Sequence, residues 1–306
     1  MIFFSLLTKE LRLRMRRERT IWVIVAYIAA MSLLGVFFVS SLSSYTYGGS
    51  GLSNVGVQLY VLLSQVQLVL IVFVTPAFTA TVVNGEKERQ TFDLLLCSRL
   101  SSFALVAGKL AAGITNTLLL IAASIPLFSL VFFFGGVSPT QVFCTLTVFV
   151  VTALVVGTFG LLCSTLFKRP AISTAVAYLG GILWLVLPLL VALILTWTNS
   201  TWFQLYPDRS KLLFAWNPLL ALSSTYAQTS DAFPYVFRLS GVLSLGILSL
   251  ARGASSYMLG KAVLPLWLVY SLLSLLVTVI FFLLCLLTIK PRSLLRWRSR
   301  RLISTP

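Results

Sequence analysis

The sequence predicts an all-α integral membrane protein with six transmembrane helices, on three observations. Mean hydropathy is +1.00 and only 10% of residues are charged, against about 25% in soluble domains. Six stretches, 21–42, 58–83, 111–134, 141–166, 171–196 and 264–289, match the roughly 20 apolar residues that a helix needs to cross a bilayer. None of the six contains Asp, Glu, Lys or Arg. Third, the connections alternate in charge. Arm 1–20 carries six basic residues, loop 84–110 four, turn 167–170 two and tail 290–306 six. The alternate connections carry none in 43–57 and 135–140, and five in 197–263. The positive-inside rule therefore places both termini and loop 84–110 in the cytoplasm, and 197–263 outside.

The chain reads as a single transmembrane domain, 1–306, without internal repeats. Residues 2–19 have helical periodicity, with Ser5, Thr8, Lys9, Arg12, Arg16 and Arg19 in one sector and much of the rest apolar. Such an arm suits the headgroup layer of an anionic membrane, with Lys9, Glu10, Arg12 and Arg16 as its interfacial or partner-facing residues. The first span begins too late, behind too basic a front, to be a cleaved signal peptide.

Loop 84–110 reads as two short helices with a corner. Glu86 and Glu88 suit a helix N-terminus, Phe92 and Leu94–Leu96 give a short apolar face, and Ser101 or Ser102 can cap a helix running into span three. Three consecutive leucines need a surface to bury against: membrane, bundle or another protein. Span two is the most polar, with Gln65, Gln67, Thr75, Thr79 and Thr81. Because Gln amides are costly to expose to lipid, Gln65 and Gln67 should face a protein interface, a vestibule or a translocation path, with Thr75 and Thr79 as further path-lining candidates. Pro76, Pro126, Pro188 and Pro265 fall in or beside spans and can kink them, while Gly157, Gly160 and Gly180-Gly181 allow close helix contact. Segment 197–263 is rich in aromatic residues, and its apolar stretch 239–251 is too short to span, so a re-entrant or interfacial helix is expected there.

The chemistry that would make an enzyme is missing from the sequence. There are no histidines, the commonest general bases and metal ligands, and the four cysteines have no metal-binding spacing. No catalytic residue and no metal ligand is assigned. Gly108-Lys109 belongs to no phosphate-cradling GxxxxGK[ST] motif, and no ionisable group lies inside a span to serve a proton-coupled carrier. The basic excess lies between apolar runs, which points to membrane lipids and not to nucleic acid.

Gly85-Glu86-Lys87-Glu88-Arg89, then Thr91, Leu94–Leu96, a serine-containing corner and Gly108-Lys109 together resemble the signature loop of ABC transporter permeases of the type-2 exporter family. Lys9-Glu10-Leu11-Arg12 resembles the opening of that family, Ser164–Pro170 the end of its fourth span, and Trp216-Asn217-Pro218 the stretch after its fifth. Gln90 stands where the family usually has glycine, and Arg99 near its usual proline. The resemblance implies a non-catalytic permease subunit. Gly85, Glu86, Glu88, Arg89, Thr91, Phe92, Leu94 and Leu95 would dock on a cytoplasmic ABC ATPase, and Glu86, Glu88 and Arg89 could instead brace Lys9 or Arg12. The plainer reading of Glu86 and Arg89 is an intrahelical pair.

On that resemblance, two ATPase copies would hold the ATP and Mg, with no cofactor on this chain. A second permease subunit, identical or paralogous, would complete the path in the inner (plasma) membrane of a bacterial cell. Uncharged spans favour apolar or amphipathic cargo: a drug-like molecule, a lipid or a peptide. The rival readings are an ATPase-anchoring envelope assembly or mechanical factor, an ATP-independent channel and a sodium-coupled carrier.

Overall fold

Apolar length decides the architecture. The computed structural model describes residues 18–43, 52–88, 102–198, 216–226, 256–259 and 262–289. In chain order these form α1 (Glu18–Ser43), α2 (Leu52–Thr79), α3 (Asn84–Glu88), α4 (Ser102–Phe134), α5 (Pro139–Leu166), α6 (Pro170–Thr198) and α7 (Pro218–Tyr226), then strands β1 (Ser256–Leu259) and β2 (Ala262–Pro265), and α8 (Leu266–Ile289). Six of these helices, α1, α2, α4, α5, α6 and α8, are long and apolar enough to cross a membrane, the composition of a multi-pass membrane protein. Four of the six expected spans agree with the helices to within three residues; α2 starts six residues before 58 and ends four before 83, and α4 begins at Ser102, where a serine cap was expected, nine residues before the apolar stretch at 111.

Expectation and structure differ at two further places. The strictly all-α reading omits an antiparallel hairpin, in which Tyr257 pairs with Leu264 and Met258 with Val263. Pro265 ends β2 and does not kink a helix, whereas Pro76, Pro126 and Pro188 lie inside α2, α4 and α6. The arm with Lys9, Glu10, Arg12 and Arg16, the positions Arg89, Thr91, Phe92, Leu94 and Leu95, the stretch 239–251 and the tail 290–306 lie outside the described residues.

The bundle is built around α5. Its most apolar window is 72% buried, against 11% for α1, and it packs on α2, α4, α6, α7 and α8. A helix apolar on every side has no polar face to show water and belongs at such a centre. Its start is fixed by a capping box between Ser138 and Gln141 with Pro139 in the first helical position, which satisfies backbone donors at both ends of the box. The tight connection from α4 relies on Gly135 and Gly136, at φ 79° and 84°, where a side chain would be strained.

Lipid tails are as apolar as leucine, so association between these helices rests on close packing and on hydrogen bonds. At the end of the bundle away from α3, Tyr60 packs edge-on against Phe128 and Tyr226, with centroids 5.8 and 6.0 Å away. Its hydroxyl lies 2.6 Å from Thr145 Oγ1, which in turn lies 3.1 Å from Thr225 Oγ1. Short helix α7 is thereby stitched into the core: Gln65 Nε2 donates to the Tyr226 hydroxyl at 3.2 Å, and Trp267 N–H donates to Ser224 Oγ at 3.0 Å. Among the described residues of segment 197–263, 218–226 inserts among the long helices.

Candidate functional site

The residues of the sequence-predicted coupling loop that the structure describes lie at the end of the bundle opposite Tyr60. Helix α2 closes at Thr79, and the chain turns through 80–83 into α3. Thr79 Oγ1 donates to the Thr75 carbonyl at 2.9 Å, and the rest of its side chain is wedged between α4 and α5. A Cβ at Gly113 would lie 2.8 Å from Thr79 Cγ2, and one at Gly160 would collide with Thr79 Oγ1. These two glycines let three helices meet, as small residues do at close crossings.

Beyond Thr79 the turn is bound to its surroundings by side chains from separate helices. Ser173 at the start of α6 donates its hydroxyl to the Ala80 carbonyl at 2.8 Å. Ser164 near the end of α5 accepts from the Val83 and Asn84 N–H groups at 3.0 and 3.1 Å, satisfying donors that the first turn of α3 cannot use internally. The buried Asn84 amide, with its nitrogen turned toward α5, donates to the carbonyls of Ser164 and, at 2.6 Å, Phe167. Lys87 Nζ donates to the Thr165 carbonyl at 2.6 Å, and Thr288 of α8 donates to Thr165 Oγ1 at 3.2 Å.

The remaining connection is ionic. Glu86 Oε1 lies 2.5 Å from Lys109 Nζ of α4, and the Lys109 side chain is only 3% exposed against 26% for Glu86. Arg89, Lys9 and Arg12, the partners expected for Glu86, lie outside the described residues. Lys109 belongs to α4 and not to a solvated loop, and burial there demands an opposite charge close by. Gly85 has open space where a Cβ would stand, and Glu88 is exposed. Stretch 80–88 is therefore tied to α4, α5 and α6 directly and to α8 through Thr165, while its Gly85 and Glu88 positions stay open.

The path-lining candidates are distributed differently. Thr75 is buried against α4, its hydroxyl donating to the Ile71 carbonyl at 2.6 Å and lying 3.2 Å from Thr117 Oγ1. Thr79 is buried in the wedge described above. Both occupy helix contacts, where a β-branched hydroxyl can return its hydrogen bond to its own helix and pack. Gln65 is bound to Tyr226 and Gln67 is fully buried.

Lys109, Asn84, Ser164, Ser173 and Asn217 were missed as structural anchors. Asn217 is buried; its Nδ2 donates to the Leu185 carbonyl of α6 at 3.1 Å, and its Oδ1 accepts from Leu219 N–H at 2.8 Å at the start of α7. The available signals were Asn immediately before Pro218, which reads as a helix start, and the Gly108-Lys109 and Ser164–Pro170 segments, whose proximity in space no local pattern reveals. No protein-family model matches the chain, and no curated protein matches it.

Proposed function

We propose that this chain is the membrane-spanning permease subunit of an ATP-driven ABC exporter of the type-2 class, docking through 85–95 on a separate cytoplasmic ATPase. The observation that carries the reading is the binding of 80–88 to α4, α5 and α6, and through Thr165 to α8. A push on a slack loop would be lost in the loop, whereas a push on this stretch reaches several long helices at once. Two of the places that resemble the permease family also meet in space: Glu86 pairs with Lys109, and Asn84 and Lys87 bond to Ser164 and Thr165, while at a third Asn217 anchors α7 on α6.

In this reading two permease chains pair with two ATPase copies, which hold ATP and Mg in the cytoplasm of a bacterial cell. ATP binding draws the motors together, and 85–95 transmits the movement to helices around a path for apolar or amphipathic cargo across the inner membrane. The chain itself performs no catalysis.

The test is purification of the tagged protein from its native membrane in a mild detergent, with mass spectrometry of the co-purifying chains. A stoichiometric soluble subunit with a phosphate-binding loop supports the proposal. A stable homo-oligomer without any ATPase overturns it in favour of an ATP-independent channel or carrier.

A further inference from the structure

Gln67 lies in the middle of α2, fully buried, and neither the nitrogen nor the oxygen of its amide has a hydrogen-bond partner. The Tyr27 hydroxyl of α1 is also buried. It lies near Ser124 of α4, whose own hydroxyl donates to the Ile121 carbonyl at 2.7 Å. Buried polar groups are paired almost without exception, and an exception asks for an explanation such as a bound molecule.

The three residues share one level of the bundle. A Cβ at Gly35 would lie 3.7 Å from Leu59 Cδ1, and Thr75 Oγ1 lies 3.2 Å from Thr117 Oγ1. Antiparallel counting from these contacts at 1.5 Å per residue brings Tyr27, Gln67 and the Ser124–Ile125 region together. From that level toward the Tyr60 end, α1, α2 and α4 part to leave a groove of about 560 Å³, within the size range of small-molecule sites. Met31 and Gly35, Leu59 and Leu63, and Leu127 and Leu130 are among its lining residues. Tyr27 lies four residues before Met31, Gln67 four after Leu63 and Ser124 three before Leu127, at helical neighbour spacing, so the three stand behind the end of the groove and not in its lining.

We propose that this groove binds a neutral chain-like amphiphile, its apolar body along the groove and its head hydrogen-bonded to Gln67 and Tyr27. The walls are mostly apolar, with Ser32 and Ser40 the polar residues among the lining, and hold no charged residue, which disfavours an ionic head. Gln67 offers a donor and an acceptor, so the complementary head both donates and accepts, as a carboxamide does. Met31 stands one turn above Tyr27, and its flexible unbranched side chain is the part of the floor that can move aside. A phospholipid keeps its headgroup at the bilayer surface and presents only its tail here, leaving the Gln67 amide unpaired. The occupant enters head first. The site requires no ATPase partner and does not rest on the proposed function.

The test is equilibrium binding of radiolabelled lauramide to the full-length protein in nanodiscs of phosphatidylcholine and phosphatidylglycerol, with dodecane and laurate as competitors. Saturable binding is expected, competed poorly by either. Gln67→Leu, which keeps the bulk and removes the unpaired amide, should lower affinity about tenfold, the scale of one lost hydrogen bond, without lowering thermal stability. Gly35→Leu, which fills the groove and leaves Gln67 untouched, should abolish binding. The proposal is overturned if binding does not exceed that of empty nanodiscs, if dodecane competes as well as unlabelled lauramide, or if Gln67→Leu binds with unchanged affinity.

Discussion

Glu86 of α3 and Lys109 of α4 form an ion pair at 2.5 Å in which the lysine is the buried partner, 3% exposed against 26%. That asymmetry makes the two single substitutions unequal. Glu86→Ala strands a buried ammonium and should cost on the order of 3 kcal/mol. Lys109→Ala leaves a carboxylate that water can reach, and should cost about 1 kcal/mol or less. The double change Glu86→Leu with Lys109→Leu should recover most of the stability, since apolar replacement of a buried pair is often neutral. If the pair transmits motion, the same double variant should still fail to couple ATPase activity to transport. Thermal unfolding in detergent and coupled ATPase assays separate the two roles.

Glu88 is exposed at the end of α3. Glu88→Ala should therefore leave unfolding temperature and membrane insertion unchanged. On the docking reading it should weaken ATPase association by about tenfold, the scale of one charge-assisted contact. Pull-down of the ATPase by the variant checks this, and wild-type recovery would remove Glu88 from the docking surface.

Ser164 supplies the acceptor for two N–H groups of the turn, those of Val83 and Asn84. Ser164→Ala leaves both without that partner in a buried place and should cost about 1–3 kcal/mol. The loss should be local: hydrogen exchange should rise at 82–86 before it rises in α5. Uniform exchange across α5 and the turn would show that the serine does not hold the turn in place.

The six long helices were legible in the sequence because an uncharged apolar run of bilayer length admits few other structures. The ties between them were not. The start of α4 at Ser102 could be read from its serine cap, but the burial of Lys109 could not, because its partner Glu86 comes from another element. Helix α7 (PLLALSSTY) carries too many hydroxyls to stand out by hydropathy. It is buried because those hydroxyls find carbonyls one turn back, at 2.7 Å for Ser223 and Thr225. Gln67 was legible as a polar group needing an explanation, but its lack of a partner is a fact of packing. The β1–β2 hairpin went unread because two four-residue strands beside an apolar helix give no separate period.

Thr79 and Gly160 test whether α2, α4 and α5 must meet as closely as they do. A methyl group at position 160 would collide with Thr79 Oγ1 and lie 3.2 Å from Thr79 Cβ. Gly160→Ala should destabilise the protein by about 1–3 kcal/mol through overpacking. Thr79→Ala removes the Oγ1 in the way and should restore part of that loss, a coupling that additivity does not predict. Thermal unfolding of the four-member cycle provides the numbers, and strict additivity would mean that the helices part to accept the methyl group.

Asn217 joins two elements through its two amide atoms, the nitrogen on the Leu185 carbonyl of α6 and the oxygen on the Leu219 N–H of α7. Leu185 lies three residues before Pro188, which lacks an N–H and disturbs the helical bonding ahead of it, so the contact braces α6 beside a weak point. Asn217→Ala should cost about 1–2 kcal/mol, the combined scale of a lost cap and a buried acceptor left short. Asn217→Asp keeps the acceptor for Leu219 but replaces the donor with a buried carboxylate facing a carbonyl, and should be the worse of the two. The order Asn, Ala, Asp in unfolding temperature is the expected result. Asp matching Asn would show that the cap alone matters and that the bond to Leu185 contributes nothing.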